Sequence, residues 1–274
     1  MASISVIVIT YNEEKNIDRC LKSLNFANEI IVVDSFSTDS TIEKVKKYTD
    51  RIIQNEYDND INQRIKGFSI SRAEWLMYVD ADEEVSNELQ TEIIKVINSN
   101  NSPDGYYVVR KIFSLGKWIT HGGWFPDLTF RIFRKDKYLP EYAEVHGGFA
   151  PAGQTGTLNG FLYHYSFPTI TEYLRKMNDY TSLQVSNKLK SVEIKRPLGK
   201  IIFSPILHFI KRYLIKKGYR DGKAGFVLAV LSAISTLVLY SKLWEYQYKK
   251  RKGLNLPPIT NIEIRRLKKR YYSA

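Results

Sequence analysis

Trp75-Leu-Met-Tyr-Val-Asp-Ala-Asp-Glu-Glu84 passes from an unbroken apolar run into four carboxylates. A run that is apolar throughout, without alternation, is the pattern of a strand buried on both faces of a parallel sheet. Carboxylates placed just past such a strand are costly unless something pairs with them, and a hard divalent cation is one candidate. The same acids would also favour the positive end of a helix that starts near Ser86.

Upstream, Ser5-Val-Ile-Val-Ile-Thr10 and Glu29-Ile-Ile-Val-Val-Asp34 repeat the buried-strand pattern, and Arg51-Ile-Ile-Gln54 reads as a shorter one. Helical spacing lies between them. Ile17, Cys20, Leu21 and Leu24 recur at i, i+3, i+4 and i+7. Ile42 and Val45 mark a second helix, for which Ser37 or Thr38 offers a cap and Asp39 a first-turn acid. Residues 61–73 form a third, and Leu89, Ile93 and Ile97 a fourth. Strands alternating with helices predict an α/β fold with a parallel sheet. Such sheets bind ligands outside the carboxyl ends of their strands, where Thr10, Tyr11, Asn12, Glu13, Asp34, Asp80 and Asp82 all fall. After residue 105 the alternation weakens around Gly122-Gly-Trp-Phe-Pro126 and Gly147-Gly148, which predicts a more irregular second half.

Charge divides the chain differently. Residues 195–274 carry 19 Lys/Arg against 3 Asp/Glu, a net of +16, whereas 1–194 hold 22 against 26, a net of −4. Within the basic part, 224–241 contains no charge, and 18 helical residues span about 27 Å, barely a bilayer core. Upstream, Phe203, Ile206, Leu207, Ile210 and Leu214 are interleaved with Lys211, Arg212, Lys216 and Lys217, as in an interfacial amphipathic helix. Lys249-Lys-Arg-Lys252 and Arg265-Arg-Leu-Lys-Lys-Arg270 would add attraction to anionic lipid. A buried helix, a membrane span and peripheral docking compete, and peripheral docking accounts for both the apolar run and the charge. The expected boundaries are 1–194 for the α/β domain, with halves at about 1–104 and 105–194, and 195–274 for a membrane-associating helical extension. The single cysteine, Cys20, excludes an internal disulfide and fits a reducing compartment. With no basic leader before Ile4, a cytoplasmic location is expected, on the membrane's cytoplasmic face. No nucleic-acid motif is present, and no nucleic-acid partner is expected.

Ile7-Val-Ile-Thr-Tyr-Asn-Glu13, Ile31-Val-Val-Asp-Ser-Phe-Ser-Thr-Asp-Ser-Thr41 and Tyr78-Val-Asp-Ala-Asp-Glu83 together resemble the three nucleotide-binding signatures of family 2 glycosyltransferases. Gln63-Arg64, His121-Gly-Gly-Trp-Phe-Pro-Asp127, Arg131-Ile-Phe-Arg134, Val145-His146 and Tyr163-His-Tyr-Ser166 extend the likeness toward lipopolysaccharide core glucosyltransferases of the WaaE/KdtX type. The resemblance implies a GT-A fold, a Rossmann-like mostly parallel sheet flanked by helices. It also implies a nucleoside-diphosphate sugar donor, usually UDP-linked, and inversion at the anomeric carbon. By position, Thr10, Tyr11, Asn12, Glu13, Asp34, Arg64 and Asp80 would bind the donor nucleotide. Asp82, with His164, would hold Mg2+ or Mn2+, and the acceptor would be a lipid-linked glycan. Inversion needs a general base. Where relatives carry Val-His-Glu, this chain reads Glu144-Val-His-Gly-Gly148, so Glu144, Asp127 and His146 are the candidates. A membrane-surface or nucleic-acid adaptor on a decayed transferase fold is the rival reading, against which the retained Asp34, Asp80 and Asp82 speak.

Overall fold

A computed structural model describes residues 1–141, 148–191 and 197–254. By contact these fall into two compact units. Among the described residues, one comprises Met1–Lys111 and Pro126–Ser166; the other comprises Ile112–Phe125 and those from Phe167 to 254.

The first unit contains β1 (Ile4–Thr10), α1 (Ile17–Lys22), β2 (Glu29–Asp34), α2 (Thr41–Val45), β3 (Ile52–Gln54), α3 (Asp60–Ile70), β4 (Trp75–Asp80), β5 (Glu83–Val85) and α4 (Asn87–Ile97). β6 (Gly105–Ser114) follows, then β7 (Lys117–Ile119) of the second unit, and β8 (Asp127–Arg134), β9 (Tyr138–Glu141), β10 (Gly148–Pro151) and β11 (Thr155–Phe167). The sheet runs β3-β2-β1-β4-β8-β6-β11-β5. β1 pairs in parallel with β2 and β4, whereas β8 joins β4 antiparallel, so the sheet is mixed beyond β4.

Burial on both faces explains the apolar runs. Val6 and Val8 enter a core with Cys20, Leu21, Trp75 and Leu89, while Ile7 enters another with Phe68, Tyr78, Phe130 and Phe133. On that second side Gly67 lets α3 approach the sheet, since a Cβ there would stand 2.5 Å from Ile7 Cγ2. Ser86 caps α4 by accepting from Leu89 N.

Two expectations need correction. Neither Ser37 nor Thr38 caps α2; Ser40 holds the N-cap position. Asp39 precedes the helix and does the capping work, its carboxylate accepting from Thr41 N and Thr41 Oγ1. α3 stops at Ile70, because Ser71 turns to extended backbone and its hydroxyl bonds Ser5. Between Asp82 and the expected cap at Ser86, Glu83–Val85 form β5, paired antiparallel with β11.

The second unit holds the outer end of β6 paired with β7, then α5 (Ile170–Ser191), α6 (Pro197–Ile210), a π-helical turn Lys211–Ile215 and α7 (Gly222–Arg251). Ile119, Tyr173, Leu228 and Leu231 form its core. Asp221, buried ahead of α7, accepts from the backbone N–H groups of Thr120 and His121 and from Thr120 Oγ1. The uncharged run 224–241 is thus one segment of α7.

Candidate active site

Register at the sheet's carboxyl end assembles the site. Thr10 lies beside Asp34, and Ile9 beside Asp80. The β1 and β2 tips are cross-linked: Asn12 N donates to Ser37 Oγ at 2.9 Å, Thr38 N to Asn12 Oδ1 at 2.8 Å, and Glu13 N to Thr41 Oγ1 at 2.8 Å. Asp34 is fully buried and accepts from Ser37 N at 2.9 Å and from the Ser37 hydroxyl. Its carboxylate therefore shapes the turn that follows β2. Asn12 and Phe36 both adopt left-handed backbone, φ 55° and 61°. The Thr10 hydroxyl is buried with no hydrogen-bond partner among the described residues.

Beyond β4 the charges form one chain of contacts. Asp80 Oδ1 accepts from Arg64 NH2 at 2.6 Å, and Asp80 Oδ2 from Arg131 NH2 at 3.3 Å. The same Arg131 nitrogen donates to Glu83 Oε1 at 2.8 Å, and Glu83 Oε2 accepts from Asp80 N at 2.9 Å. Arg110 NH1 reaches Glu83 Oε1 at 3.4 Å, while its NH2 contacts Asp127 Oδ2 at 2.7 Å. Arg110 and Asp127 are cross-strand partners of β6 and β8. Both Arg64 and Arg131 lie against the Tyr78 ring, 4.5 and 4.4 Å from its centroid. Three guanidiniums thus balance Asp80, Glu83 and Asp127.

Burial splits the carboxylates. At Asp80 burial would raise the pKa, but Arg64 and Arg131 outweigh it and hold the group well below the usual range. At Glu83 burial dominates and the nearby Asp80 charge adds to it, so the pKa is raised despite Arg131. Arg64 and Arg110, which burial alone would lower, are held further toward the charged form by Asp80 and Glu83 respectively.

Asp82, two residues beyond Asp80, faces His164. Its Oδ2 lies 3.2 Å from His164 Nε2, both side chains being mostly buried, and its backbone carbonyl accepts from Tyr165 N at 3.0 Å. His164 Nδ1 is buried without a partner among the described residues. Among the described residues no group of three or more His, Cys, Asp or Glu converges as a metal cage. A carboxylate and an imidazole at this spacing nonetheless fit one ion, since adjacent ligands of an octahedral site with 2.1 Å bonds stand about 3.0 Å apart. Magnesium-type ions take one or two protein ligands and complete their shell with substrate phosphate and water. The Asp82 carboxylate matches that oxygen chemistry, whereas the His164 imidazole suits a softer ion better than magnesium.

Of the residues expected from sequence, Arg64, Asp80, Asp82, Asp127 and His164 lie in or beside this charged corner, and Thr10–Glu13 with Asp34 form the neighbouring strand tips. Glu144 and His146 lie outside the described residues. Sequence reasoning missed Glu83, Arg110 and Arg131 as a unit. Their roles follow from strand register, which no local pattern carries.

The model of glycosyl transferase family 2 matches residues 5–152, more than half of the chain. The chain belongs to that family. Its mixed sheet with flanking helices is the GT-A fold. The lipopolysaccharide core biosynthesis glycosyltransferase LpsC of Rhizobium meliloti is 27% identical to this family 2 chain over 250 residues, 88% of the chain and 92% of LpsC. A glycosyltransferase of Rickettsia typhi is 30% identical over 271 residues, 92% of this chain and 90% of its own. The crystal structure of S. aureus TarS 1–349 with UDP-GlcNAc is similar at a TM-score of 0.48 and 16% identity, covering 92% of each chain.

Proposed function

We propose that this glycosyltransferase moves a hexose from a nucleoside-diphosphate donor, UDP-linked, to a lipid-linked glycan of the lipopolysaccharide core type, with inversion. The carrying observation is the Asp82–His164 pair beside the Arg64–Asp80–Arg131 contacts at the carboxyl end of β4. LpsC, similar over nearly all of the chain, supports the acceptor class. Asp82 and His164 would hold Mg2+ or Mn2+, which when bound supplies Lewis-acid stabilisation to the departing diphosphate. Arg64, whose charge is shared with Asp80, would lie near the base or diphosphate. Thr10, Tyr11, Asn12, Glu13 and Asp34 would form the nucleotide wall, a reading supported by the buried Thr10 hydroxyl, partnerless among the described residues.

Inversion forms a bond from the acceptor oxygen to the anomeric carbon as the bond to the diphosphate breaks, and the acceptor proton passes to a base. Glu144, Asp127 and His146 are the candidates. Favouring Asp127, Arg110 engages its Oδ2 alone, and no described residue bonds Oδ1. The enzyme would work at the cytoplasmic face of the inner membrane, where its lipid-linked acceptor resides.

The test is Asp82→Ala, assayed with a panel of sugar nucleotides and divalent metal, alongside calorimetric titration of Mn2+ in the presence of UDP. Loss of both transfer and Mn2+ binding in a normally folded variant is expected. Full transfer by that variant would refute the assignment.

A further inference from the structure

α6 and the π-helical turn after it present an apolar surface that the second unit does not cover. No described residue from Leu198 to Ile215 is buried. Ile202, Phe203, Ile206, Leu207, Leu214 and Ile215 are each between 54% and 68% exposed, an unusual state for side chains of this size. On a helix, 202/203, 206/207, 210 and 214 recur every three to four residues and form one continuous stripe. The opposite side of α6 meets α7, where Phe209 lies 5.9 Å from Phe226. A groove of about 600 Å³ between the two helices is lined by Leu198, Ile201, Leu237, Val238 and Trp244, with Ser241, Lys242 and Glu245 at the α7 side.

The longer run in α7 is the obvious membrane element by composition, but its packing argues otherwise. Gly225, Leu228, Ala229, Leu231, Ser232, Leu239 and Leu243 are buried, so one side of the helix is committed to protein along most of its length. Leu228 and Leu231 pack on Ile119 and Tyr173, and Leu239 and Leu243 on Val185. Lys242 donates to Asn178 O, Thr181 Oγ1 and Ser182 Oγ of α5. A transmembrane orientation would either give these contacts up or draw Glu172, Arg175, Lys176 and Asp179 of α5 toward the hydrocarbon.

Charge selects the occupant. Residues 198–217 contain Lys200, Lys211, Arg212, Lys216 and Lys217 and no acidic side chain. Lys211, Lys216 and Lys217 are exposed beside the stripe. A second copy laid face to face would set cations against cations, whereas lipid phosphates complement them. We infer that α6 lies in the plane of an anionic bilayer with the Ile202–Leu214 stripe inserted, and that α7 supports it from within the protein without spanning the membrane. This deepens the membrane part of the proposed function, and its test reads vesicle binding, so either can fail without the other.

The experiment is flotation of the full chain with vesicles of phosphatidylcholine alone or with phosphatidylglycerol, for wild type and the double variant Phe203→Glu/Leu207→Glu. Both positions are exposed, so the melting temperature should be unchanged. Wild type should float with anionic vesicles, release in high salt or alkaline carbonate, and lose about tenfold in bound fraction in the double variant. Lys211→Glu/Lys216→Glu should weaken binding to anionic vesicles selectively. Carbonate-resistant binding, or undiminished flotation of Phe203→Glu/Leu207→Glu, would overturn the inference. So would a lipid-free dimer that the apolar double variant splits while flotation persists.

Discussion

His164 Nε2 and Asp82 Oδ2 stand 3.2 Å apart across 82 residues of sequence, joined because β11 pairs with β5 at His164 and Glu83. If the pair is a metal site, His164→Ala should weaken Mn2+ binding in the presence of UDP by about tenfold or more. Calorimetry or manganese electron paramagnetic resonance reads this directly. An unchanged affinity would leave Asp82 and the diphosphate as the binding elements.

Arg131 is the hub of the buried charges, serving Asp80, Glu83 and the Tyr78 carbonyl. Arg131→Met leaves Asp80 with Arg64 alone and Glu83 with only the distant Arg110, and should cost about 3 kcal/mol in urea unfolding. Arg131→Lys keeps the charge but lacks the planar fork, and should recover only part of the loss. Equal stability of all three proteins would mean that the network contributes nothing.

The opposite shifts at Asp80 and Glu83 predict opposite pH signatures. Asp80, whose folded pKa is lowered, contributes stability that is present above its unfolded value near pH 4 and lost as pH falls through the folded value. Glu83, with a raised folded pKa, destabilises once ionised, so its cost grows as pH rises from the ordinary carboxylate value through the folded one. Relative to wild type, Asp80→Asn should therefore look worse as pH rises from acid to about 4 and stay constant above it. Glu83→Gln should look progressively better as pH rises above that range. Denaturant unfolding across pH checks both, and parallel trends would contradict the split.

Phe36, about half exposed, holds φ at 61° just past β2. A bulky side chain in left-handed backbone costs roughly 1–2 kcal/mol. Phe36→Gly removes that strain but adds freedom to the unfolded chain, for a net gain of about 1 kcal/mol or less. A fall in melting temperature would show that the ring contributes more than its backbone costs.

The parallel core was readable because β1, β2 and β4 are apolar on both faces, a pattern that admits few alternatives over six or seven residues. β5 was not readable. Glu83-Glu-Val85 has no strand signature of its own, and its form comes from β11, a partner almost eighty residues later. Arg110 and Asp127 meet only through the β6–β8 register, so neither announces the other locally. The α7 run was legible as a helix, but a uniformly apolar segment carries no period to say which side is buried. Ser37 or Thr38 as the α2 cap failed for a related reason: several Ser, Thr and Asp residues in a row compete for one N-terminus, and the contacts of Asp39 with Glu14 and Thr41 choose among them.

The strap formed by β11 across β5 has a thermodynamic corollary. Any ligand gripped by both Asp82 and His164 binds only chains in which that late strand is already in place. Occupancy at a hundred times Kd would then add about 2.7 kcal/mol against opening of the sheet edge. The heat tolerance of this enzyme would rise and fall with the supply of its own donor, so that starved molecules are the first to unravel.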